Sequence, residues 1–243
     1  VGPGDPKTVL IRGVGPSLLN FGVADALAET KVTLFSSSNI IAENEGWRTN
    51  TNFEDILATP FSPFSDLESA ILIDLDPGVY TAHVEGVGSA SGVALVEIYE
   101  IGSGGPDLTA LSTRGQVMTG ENVMIGGLVI QGNPGETKRI IIRGIGPSLL
   151  NQGVADALFD PVITLHDKDG IALLENDDWD YSPQTDAILA SGFGPSDRRE
   201  SVILIDLDPG IYTVIVKPFE DEESGQESIP GVGLIEIYEI IEN

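Results

Sequence analysis

Residues Lys7–Leu27, KTVLIRGVGPSLLNFGVADAL, return later in the chain as Lys138–Leu158, KRIIIRGIGPSLLNQGVADAL. Sixteen of these 21 aligned positions are identical at an offset of 131 residues. Two further segments repeat in the same order. ILIDLDPGVYT at Ile71–Thr81 recurs as ILIDLDPGIYT, offset by 132, and LVEIYEI at Leu95–Ile101 recurs as LIEIYEI, offset by 139. Repeated segments in a fixed order indicate two copies of one structural module.

Each module is predicted to consist of short strands. We place the first module at residues 1–101 and the second at residues 102–243. Runs such as Val162–Leu165 are short, apolar and β-branched, and the repeated Asp-Pro-Gly sequences supply turns between them. Two stretches, Ser148–Leu158 and Gln184–Ala190, have helical composition. This pattern predicts an all-β fold of two tandem β-sandwich or jelly-roll modules with short helical insertions.

The second module has leading strands for which the first module has no counterpart. Two strand-like runs, Thr113–Met118 and Val123–Ile130, lie within residues 107–131 ahead of Lys138, whereas only six residues precede Lys7. Two such strands bury about eight inward apolar side chains. At roughly 1.5–3 kcal/mol each, their burial contributes roughly 12–24 kcal/mol to the gross stability of the module. This exceeds the roughly 5–15 kcal/mol by which an ordinary domain is stable. We therefore expect a first module that lacks its N-terminal strands and is completed from elsewhere.

Three ways of completing the first module are open from the sequence. In the first, the chain is a fragment of a longer array. In the second, the two leading strands are divided, so that Thr113–Met118 completes the first module and Val123–Ile130 belongs to the second. Alternatively, a neighbouring molecule covers the open edge, and its last strand, Leu234–Ile240, is a candidate for such a head-to-tail contact. A head-to-tail contact propagates into a filament unless it closes a ring.

Composition excludes several classes of function. Acidic residues outnumber basic residues 38 to 12, which gives a formal charge of −26. A field of that sign repels nucleic acid and anionic lipid, so we expect neither as a partner. No apolar run approaches the roughly 18 residues that would insert into a membrane. The absence of cysteine excludes thiol catalysis and Cys-ligated metals, and two histidines, His83 and His166, are too few for a multi-histidine centre.

The repeated motifs lack the features of an active site. GVGPS and its copy GIGPS do not have the G-x-G-x-x-G spacing of a phosphate loop, and no Gly-Lys-Ser/Thr follows. Arg12 and Arg143 end apolar runs and are predicted to pair with module carboxylates, for which Asp25 and Asp156 are candidates. The two histidines do not occupy matching positions, so the modules share no Ser-His-Asp arrangement. We predict that the protein is not an enzyme.

An acidic part of the second module is a candidate calcium site. Asp167–Gly170 reads DKDG, and Asn176–Asp180 reads NDDWD. If Val162–Leu165 and Ile171–Leu174 form a hairpin, we expect both groups to reach one end of it. Calcium takes roughly six to eight oxygen ligands, which these side chains can supply. The alternative is that Asp and Gly only form the hairpin turn. The candidate ligands are Asp167, Asp169, Asn176, Asp177, Asp178 and Asp180.

Trp47 and Trp179 are the only tryptophans and occupy matching positions of the two modules. An exposed ring beside polar groups would be a platform on which a sugar stacks. A largely buried ring would instead close a small β core.

The chain resembles known bacterial repeats at the motifs IRGVGPSLL, ENDDW, LDPGIYT and VEIYE. These motifs resemble tandem β-sandwich repeats of large secreted and cell-surface proteins, whose function is undefined. The stretch from VITLHDKDG to GIYTVIV resembles the bacterial pre-peptidase C-terminal domain, a jelly-roll accessory module of secreted enzymes. Some relatives of that domain bind calcium, which implies a role for Asp167, Asp169, Asp177 and Asp178. The RGIGPSLL segment departs from that domain, so its ligand specificity is not carried over.

These observations favour a non-catalytic extracellular structural protein made of repeated sandwiches. We expect it to be a subunit of a surface array or filament, assembled head-to-tail from copies of itself. The alternative is a calcium-stabilised accessory module of a secreted protein that binds carbohydrate or another surface protein.

Overall fold

The chain folds into two compact units, Val1–Thr109 and Ala110–Asn243, and each has its own hydrophobic core. The repeats alone placed the boundary after Ile101, and residues 103–109, between that position and the second unit, lie outside the described residues. The computed structural model describes residues 1–2, 4–102, 110–120, 122–220 and 228–240.

The first unit is a sandwich of two antiparallel sheets, each with three strands among the described residues. The strand order is β4-β1-β6 in one sheet and β3-β2-β5 in the other. The strands are β1 (Lys7–Val14), β2 (Thr30–Ser36), β3 (Asn39–Glu45), β4 (Ser69–Leu75), β5 (Tyr80–Gly86) and β6 (Leu95–Glu100). The helical segments are α1 (Phe53–Ala58) and 3₁₀ turns at Pro16–Phe21, Trp47–Thr49 and Val87–Ser89.

The second unit repeats this sandwich with four strands in each sheet. The order is β12-β9-β14-β7 in one sheet and β11-β10-β13-β8 in the other. The strands are β7 (Ala110–Val117), β8 (Met124–Ile130), β9 (Lys138–Ile145), β10 (Pro161–His166), β11 (Ala172–Asn176), β12 (Ser201–Leu207), β13 (Gly210–Pro218) and β14 (Gly231–Glu239). The helical segments are α2 (Thr185–Ala190) and 3₁₀ turns at Pro147–Gln152 and Trp179–Tyr181. The prediction of two β-sandwich modules with short helical insertions is confirmed.

The helix predicted over Ser148–Leu158 is a shorter 3₁₀ turn, Pro147–Gln152. It ends at Gly153, whose φ of 85° lies in the left-handed region that glycine adopts without steric cost.

The central strands are apolar on both faces because both faces are covered. In β1, Val9 and Ile11 point into the sandwich, whereas Leu10 lies on the opposite face and packs with Trp47 and Ile56 of the helical segments. The second unit has the same arrangement around Trp179. Strands that are buried on two faces lose the alternation of apolar and polar residues and read as continuous apolar runs.

The leading strands β7 and β8 form an arch over one side of the second unit. β7 pairs with β14 in one sheet and β8 pairs with β13 in the other, and the two strands contact each other across the sandwich. We call Ala110–Ile130 the arch. The described residues of the first unit contain no counterpart of either strand, so β6 and β5 are edge strands there.

One of the sequence-based alternatives for completing the first unit does not hold, and the strand named as the candidate in another is not available. The leading strands are not divided between the units, because β7 and β8 both belong to the second. The last strand, β14, is hydrogen-bonded to β7 on one side and β9 on the other, so it has no free edge to offer a neighbour.

The RGxGPSLL motif surrounds a buried carboxylate. In the first unit, Glu68 is fully buried, and one of its oxygens accepts hydrogen bonds from the backbone N–H groups of Gly15 (3.3 Å) and Ser17 (3.1 Å) and from the Ser17 hydroxyl. Glu200 accepts the corresponding bonds in the second unit. The motif therefore binds a side-chain carboxyl group of the protein itself, which explains why it resembles a phosphate loop without being one.

Arg12 pairs with a carboxylate, but the candidate named from the sequence is wrong. Its Nε donates to Glu97 of the neighbouring strand at 2.8 Å, and Arg143 Nε lies 3.3 Å from Glu236 as an ion pair without a hydrogen bond. Strand pairing places Arg12 directly opposite Glu97, whereas Asp25 lies outside the sheet.

One substitution between the repeats leaves a polar group unpaired. In the first unit, the Thr30 hydroxyl donates to the Gly13 carbonyl oxygen at 2.7 Å and lies 3.0 Å from the Ser69 hydroxyl. Pro161 replaces Thr30 in the second unit. The buried hydroxyl of Ser201, the counterpart of Ser69, consequently has no hydrogen-bond partner in the protein.

Candidate metal centre

Three carboxylates meet at one end of the β10–β11 hairpin. Asp160 immediately precedes β10, and Asp177 and Asp178 immediately follow β11. Because the two strands are antiparallel, with Ile163 opposite Asn176, the start of β10 lies beside the end of β11. One oxygen from each of the three aspartates lies within 4.8 Å of the others. We call Asp160, Asp177 and Asp178 the aspartate cluster.

The aspartate cluster is a poor environment for three negative charges. Partial burial raises the pKa of Asp160 to about 6, and the charges of Asp177 and Asp178 act in the same direction. Burial likewise raises the pKa of Asp177 to about 6, helped by Asp178 and Glu175. The Oδ1 atoms of Asp160 and Asp177 are inaccessible to solvent and have no hydrogen-bond partner in the protein. Carboxylates in this state gain from a proton or a cation.

A hard divalent cation is the ligand that suits these donors. Calcium takes roughly six to eight oxygen ligands, and each carboxylate supplies one or two. The three aspartates would thus provide about half of a calcium coordination shell, with carbonyl oxygens or water providing the rest. Without histidine or cysteine, the donor set does not favour zinc or copper.

The hairpin separates the two acidic groups named from the sequence. Asp167 and Asp169 lie at its tip, whereas Asp177 and Asp178 lie beyond the far end of β11. Five residues of strand span about 17 Å. The expectation that both groups reach one end of the hairpin is therefore wrong. Asp167 instead forms the turn, because its Oδ1 accepts from the backbone N–H groups of Asp169 and Ile171, both at 2.9 Å.

Asn176 and Asp180 lie near the aspartate cluster but are engaged elsewhere. Asn176 Oδ1 accepts from the Val202 backbone N–H at 2.7 Å and so joins β11 to β12. Asp180 pairs with Arg198 through one oxygen, while its other oxygen is buried without a partner. Of the six residues named from the sequence, the structure thus brings together only Asp177 and Asp178.

Asp160 was missed because it is distant in sequence from the other acids. It becomes their neighbour only through the hairpin register. The signal in the sequence was indirect: Asp160 lies just before a strand, and the Asn-Asp-Asp segment lies just after that strand's partner.

The first unit lacks this cluster. Glu29, Glu45 and Gly46 occupy the positions of Asp160, Asp177 and Asp178. The adjoining ion pair is kept with its polarity reversed, because Arg48 binds Asp66 at 2.5 Å where Asp180 binds Arg198 in the second unit. Both units therefore keep an ion pair beside the end of this hairpin. The additional carboxylates of the aspartate cluster are particular to the second unit.

The tryptophans offer no platform for a sugar. Trp47 is 1% and Trp179 is 9% exposed, and their indole N–H groups donate to the carbonyl oxygens of Ser65 and Asp197. An open depression of about 380 Å³ in the first unit is lined by polar residues between Lys31 and Thr51, with no aromatic ring among them.

Within the parts of the chain that the structure describes, no helix is both long and apolar enough to cross a membrane.

No protein-family model and no curated protein matches the chain. Among solved structures, it is similar to the pre-peptidase C-terminal domain of a collagenase from Bacillus anthracis, with 12% identity and a TM-score of 0.30, over 56% of this chain and 98% of that one. It is also similar to the major capsid protein P2 of bacteriophage PM2, with 11% identity and a TM-score of 0.23, over 100% of this chain and 91% of that one. At these TM-scores, neither likeness supports a statement about function.

Proposed function

We propose that the protein is a non-catalytic structural repeat protein, a subunit of an extracellular array or filament in which copies join through the first unit. The observation that carries this proposal is the open side of the first unit, formed by the edges of β5 and β6, which pair with no further strand among the residues that the structure describes. The extracellular location rests on the motif resemblance alone.

The open side exposes residues that the second unit buries. On β6, Val96 and Ile98 are partly exposed, whereas their counterparts Ile235 and Ile237 are 2% and 7% exposed. On β5, Ala82 and Val84 are also partly exposed, and the matching positions of β13 are fully buried. An edge with free backbone groups and apolar side chains recruits strands from other molecules.

The repeated serines support the non-catalytic part of the proposal. The hydroxyls of Ser17 and Ser148 both bind the buried glutamate of their unit. His83 packs against Phe35, with ring centroids 4.7 Å apart.

Sedimentation velocity and electron microscopy at physiological salt test this proposal. We expect association that increases with protein concentration and with salt, because salt screens the repulsion between highly acidic copies beyond about 8 Å. Val96→Lys places a charge on the open side and should weaken association. Leu150→Lys, at an exposed position of the second unit, is the control. A chain that stays monomeric at all concentrations would overturn the proposal.

A second candidate function, a calcium-stabilised accessory module, is favoured by the aspartate cluster alone. Extracellular calcium modules bind the ion with dissociation constants of about 10⁻⁴–10⁻³ M. Isothermal titration with CaCl₂ tests this candidate: saturable binding that Asp177→Asn abolishes supports it, and the absence of heat at millimolar calcium rejects it.

A further inference from the structure

We propose that β8, Met124–Ile130, is a self-association site at which two copies of the chain join their β8 strands edge to edge and antiparallel. The pairing makes one continuous sheet from two copies. It lies on the second unit and is separate from the open side of the first unit, so it goes beyond the proposed function and does not depend on it.

β8 has a free edge within its sheet. It stands at the end of the strand order β11-β10-β13-β8 and pairs only with β13 among the residues that the structure describes. The pairing with β13 runs from Met124 to Ile130 without a shift of register, so the strand is regular over its whole length. Free backbone N–H and C=O groups along a regular edge are a template for a further strand.

β8 is also the edge strand that lacks a charged side chain. Its sequence, MIGGLVI, contains no acidic or basic residue. Charged side chains on an edge strand oppose its pairing with another molecule, and like charges placed directly opposite each other destabilise a strand pair. In the described part of the chain, every other edge strand carries at least one charge: Glu43 in β3, Asp74 in β4, Glu85 in β5, Glu97 in β6, Arg114 in β7, Glu175 in β11 and Asp206 in β12. In a chain with a formal charge of −26, β8 is therefore the edge at which two copies meet without like charges facing each other.

The outer face of β8 exposes apolar side chains that a second copy would cover. Ile125 is 57% and Val129 is 64% exposed, and Ile211, which lies opposite Val129 on β13, is 59% exposed. Ile125 and Val129 share this face because successive side chains of a strand point to opposite sides of the sheet. Exposed apolar residues beside a free strand edge mark a contact surface for another strand.

The register of the pairing follows from symmetry. When a two-fold axis runs perpendicular to the sheet, each residue must lie opposite one whose side chain is on the same face. The register centred on Gly127 satisfies this condition and pairs all seven residues of the strand. Ile125 then lies opposite Val129 of the second copy, and Gly127 lies opposite Gly127 of the second copy. The apolar row formed by Ile211 and Val129 thus continues into Ile125 of the neighbour.

A second copy is the occupant that these features favour. It supplies a strand of equal length, without charge, whose apolar positions match those of β8 in the antiparallel direction. A contact between identical edges closes after two copies, so it produces a dimer, whereas the head-to-tail contact of the proposed function propagates.

Charge complementation at Ile125 and Val129 tests the pairing and its register together. One variant carries Ile125→Lys with Val129→Lys, and the other carries Ile125→Glu with Val129→Glu. Each places like charges opposite each other at two points of the symmetric interface, so we expect the dissociation constant of the dimer to rise by at least about tenfold. An equimolar mixture of the two variants should associate again, because opposite charges then face each other. Both positions are exposed, and an unchanged melting curve verifies that each variant is folded.

Sedimentation velocity at physiological salt, with every chain carrying Val96→Lys, measures this association without the open side of the first unit. We expect the Val96→Lys chain to form a dimer, each charged variant to be monomeric and their mixture to form a dimer. A Val96→Lys chain that stays monomeric at every concentration would overturn the β8 pairing, even if the unmodified chain forms filaments. A mixture that stays monomeric would overturn it as well.

Disulfide cross-linking locates the two-fold axis independently. The chain has no cysteine, so Gly127→Cys introduces a single thiol, and a Cβ at this position would lie 3.9 Å from the Tyr212 carbonyl oxygen with no closer neighbour. Because Gly127 faces its own copy, this variant should form a covalent dimer under mild oxidation. In the control, Val129→Cys, the two thiols are offset by about 13 Å along the strands, beyond the reach of about 7 Å between the Cα atoms of a disulfide. Equal cross-linking of the two variants would contradict the register.

Discussion

Neutralising Asp160 should stabilise the second unit at neutral pH when calcium is absent. Its pKa is raised from 3.8 to about 6, chiefly by burial and then by Asp177 and Asp178. A shift of about two units corresponds to at most about 3 kcal/mol of penalty on the charged form. Because the side chain is only partly buried, solvent screening reduces this to about 1 kcal/mol. Asp160→Asn should raise the free energy of unfolding by that amount.

The pH dependence of this gain has a definite sign. A carboxyl whose pKa is higher in the folded state holds its proton more tightly there, so stability is lost as pH rises from about 4 to about 6. The variant carries no titrating group at this position. Its advantage over the wild type should vanish below about pH 4 and reach its full value above about pH 6.

Calcium should cancel the advantage if the aspartate cluster binds it. At calcium 100-fold above the dissociation constant, the wild type gains about 2.7 kcal/mol. A variant that binds about tenfold more weakly gains about 1.4 kcal/mol, so the difference of about 1.3 kcal/mol offsets the gain from removing the charge.

Urea unfolding in a Trp47→Phe background measures these effects, because Trp179 then reports on the second unit alone. Glu29→Gln, at the matching position of the first unit, is the control and should leave the Trp179 transition unchanged. A stability difference that does not vary with pH in EDTA would refute the electrostatic reasoning. A difference that is the same with and without calcium would remove the aspartate cluster as a calcium site.

Three further predictions test the packing of the repeat. Ser69→Ala should lower the free energy of unfolding by about 1 kcal/mol, whereas Ser201→Ala should be neutral or stabilising. The reason is that the Ser69 hydroxyl has a hydrogen-bond partner and the Ser201 hydroxyl has none, and urea unfolding of the two variants measures the difference. Reversing the charge of Arg48 or of Asp66 alone should lower the free energy of unfolding by up to about 1 kcal/mol. Exchanging the two residues in a double variant should restore most of this loss, because the second unit has the ion pair in that orientation. The absence of rescue in a double-mutant cycle would contradict this prediction. Tyr212→Phe should lower the melting temperature of the second unit, because the Tyr212 hydroxyl donates to the Asp208 carbonyl oxygen at 2.9 Å and closes the Asp-Pro-Gly turn. An unchanged melting curve would show that this hydrogen bond contributes nothing to stability.

The repeat made the fold class predictable from the sequence, but it did not make the order of the strands within each sheet predictable. Short β-branched runs and Asp-Pro-Gly turns are local signals, and they identified the sandwich. Sheet order depends on contacts between distant segments. Nothing local indicates that β7 and β8 both belong to the second unit, or that β14 is a central strand, which is why the divided leading strands and the choice of β14 as the donor were wrong.

The buried glutamates show which signal was available and unused. Glu68 and Glu200 are each followed by a serine and then by an apolar strand in both copies. An acidic residue that stands at the start of an apolar run in both repeats needs hydrogen-bond partners for its carboxyl group if it is to be buried. Those partners, the backbone N–H groups of the GPS turn, lie 51 and 53 residues away in the first unit, so residue spacing does not reveal them.

The candidate metal site shows the opposite error, in which a strong local signal was given too much weight. Asp167–Gly170 contains two aspartates before a glycine, and this spacing suits a cation as well as a turn. In the structure the backbone N–H groups occupy the Asp167 carboxylate, so turn formation accounts for the pattern.

The differences between the two units lie in two places. Both copies keep the buried glutamate, the arginine–glutamate pair and the tryptophan layer, which hold each sandwich together. They differ at the arch, for which the described residues of the first unit have no counterpart, and at the hairpin end, where the second unit has the aspartate cluster. Features shared by both copies are sufficient to explain stability, so function should be sought where the copies diverge. We therefore propose partner binding for the first unit and cation binding for the second, and each can be altered without changing the framework that the two units share.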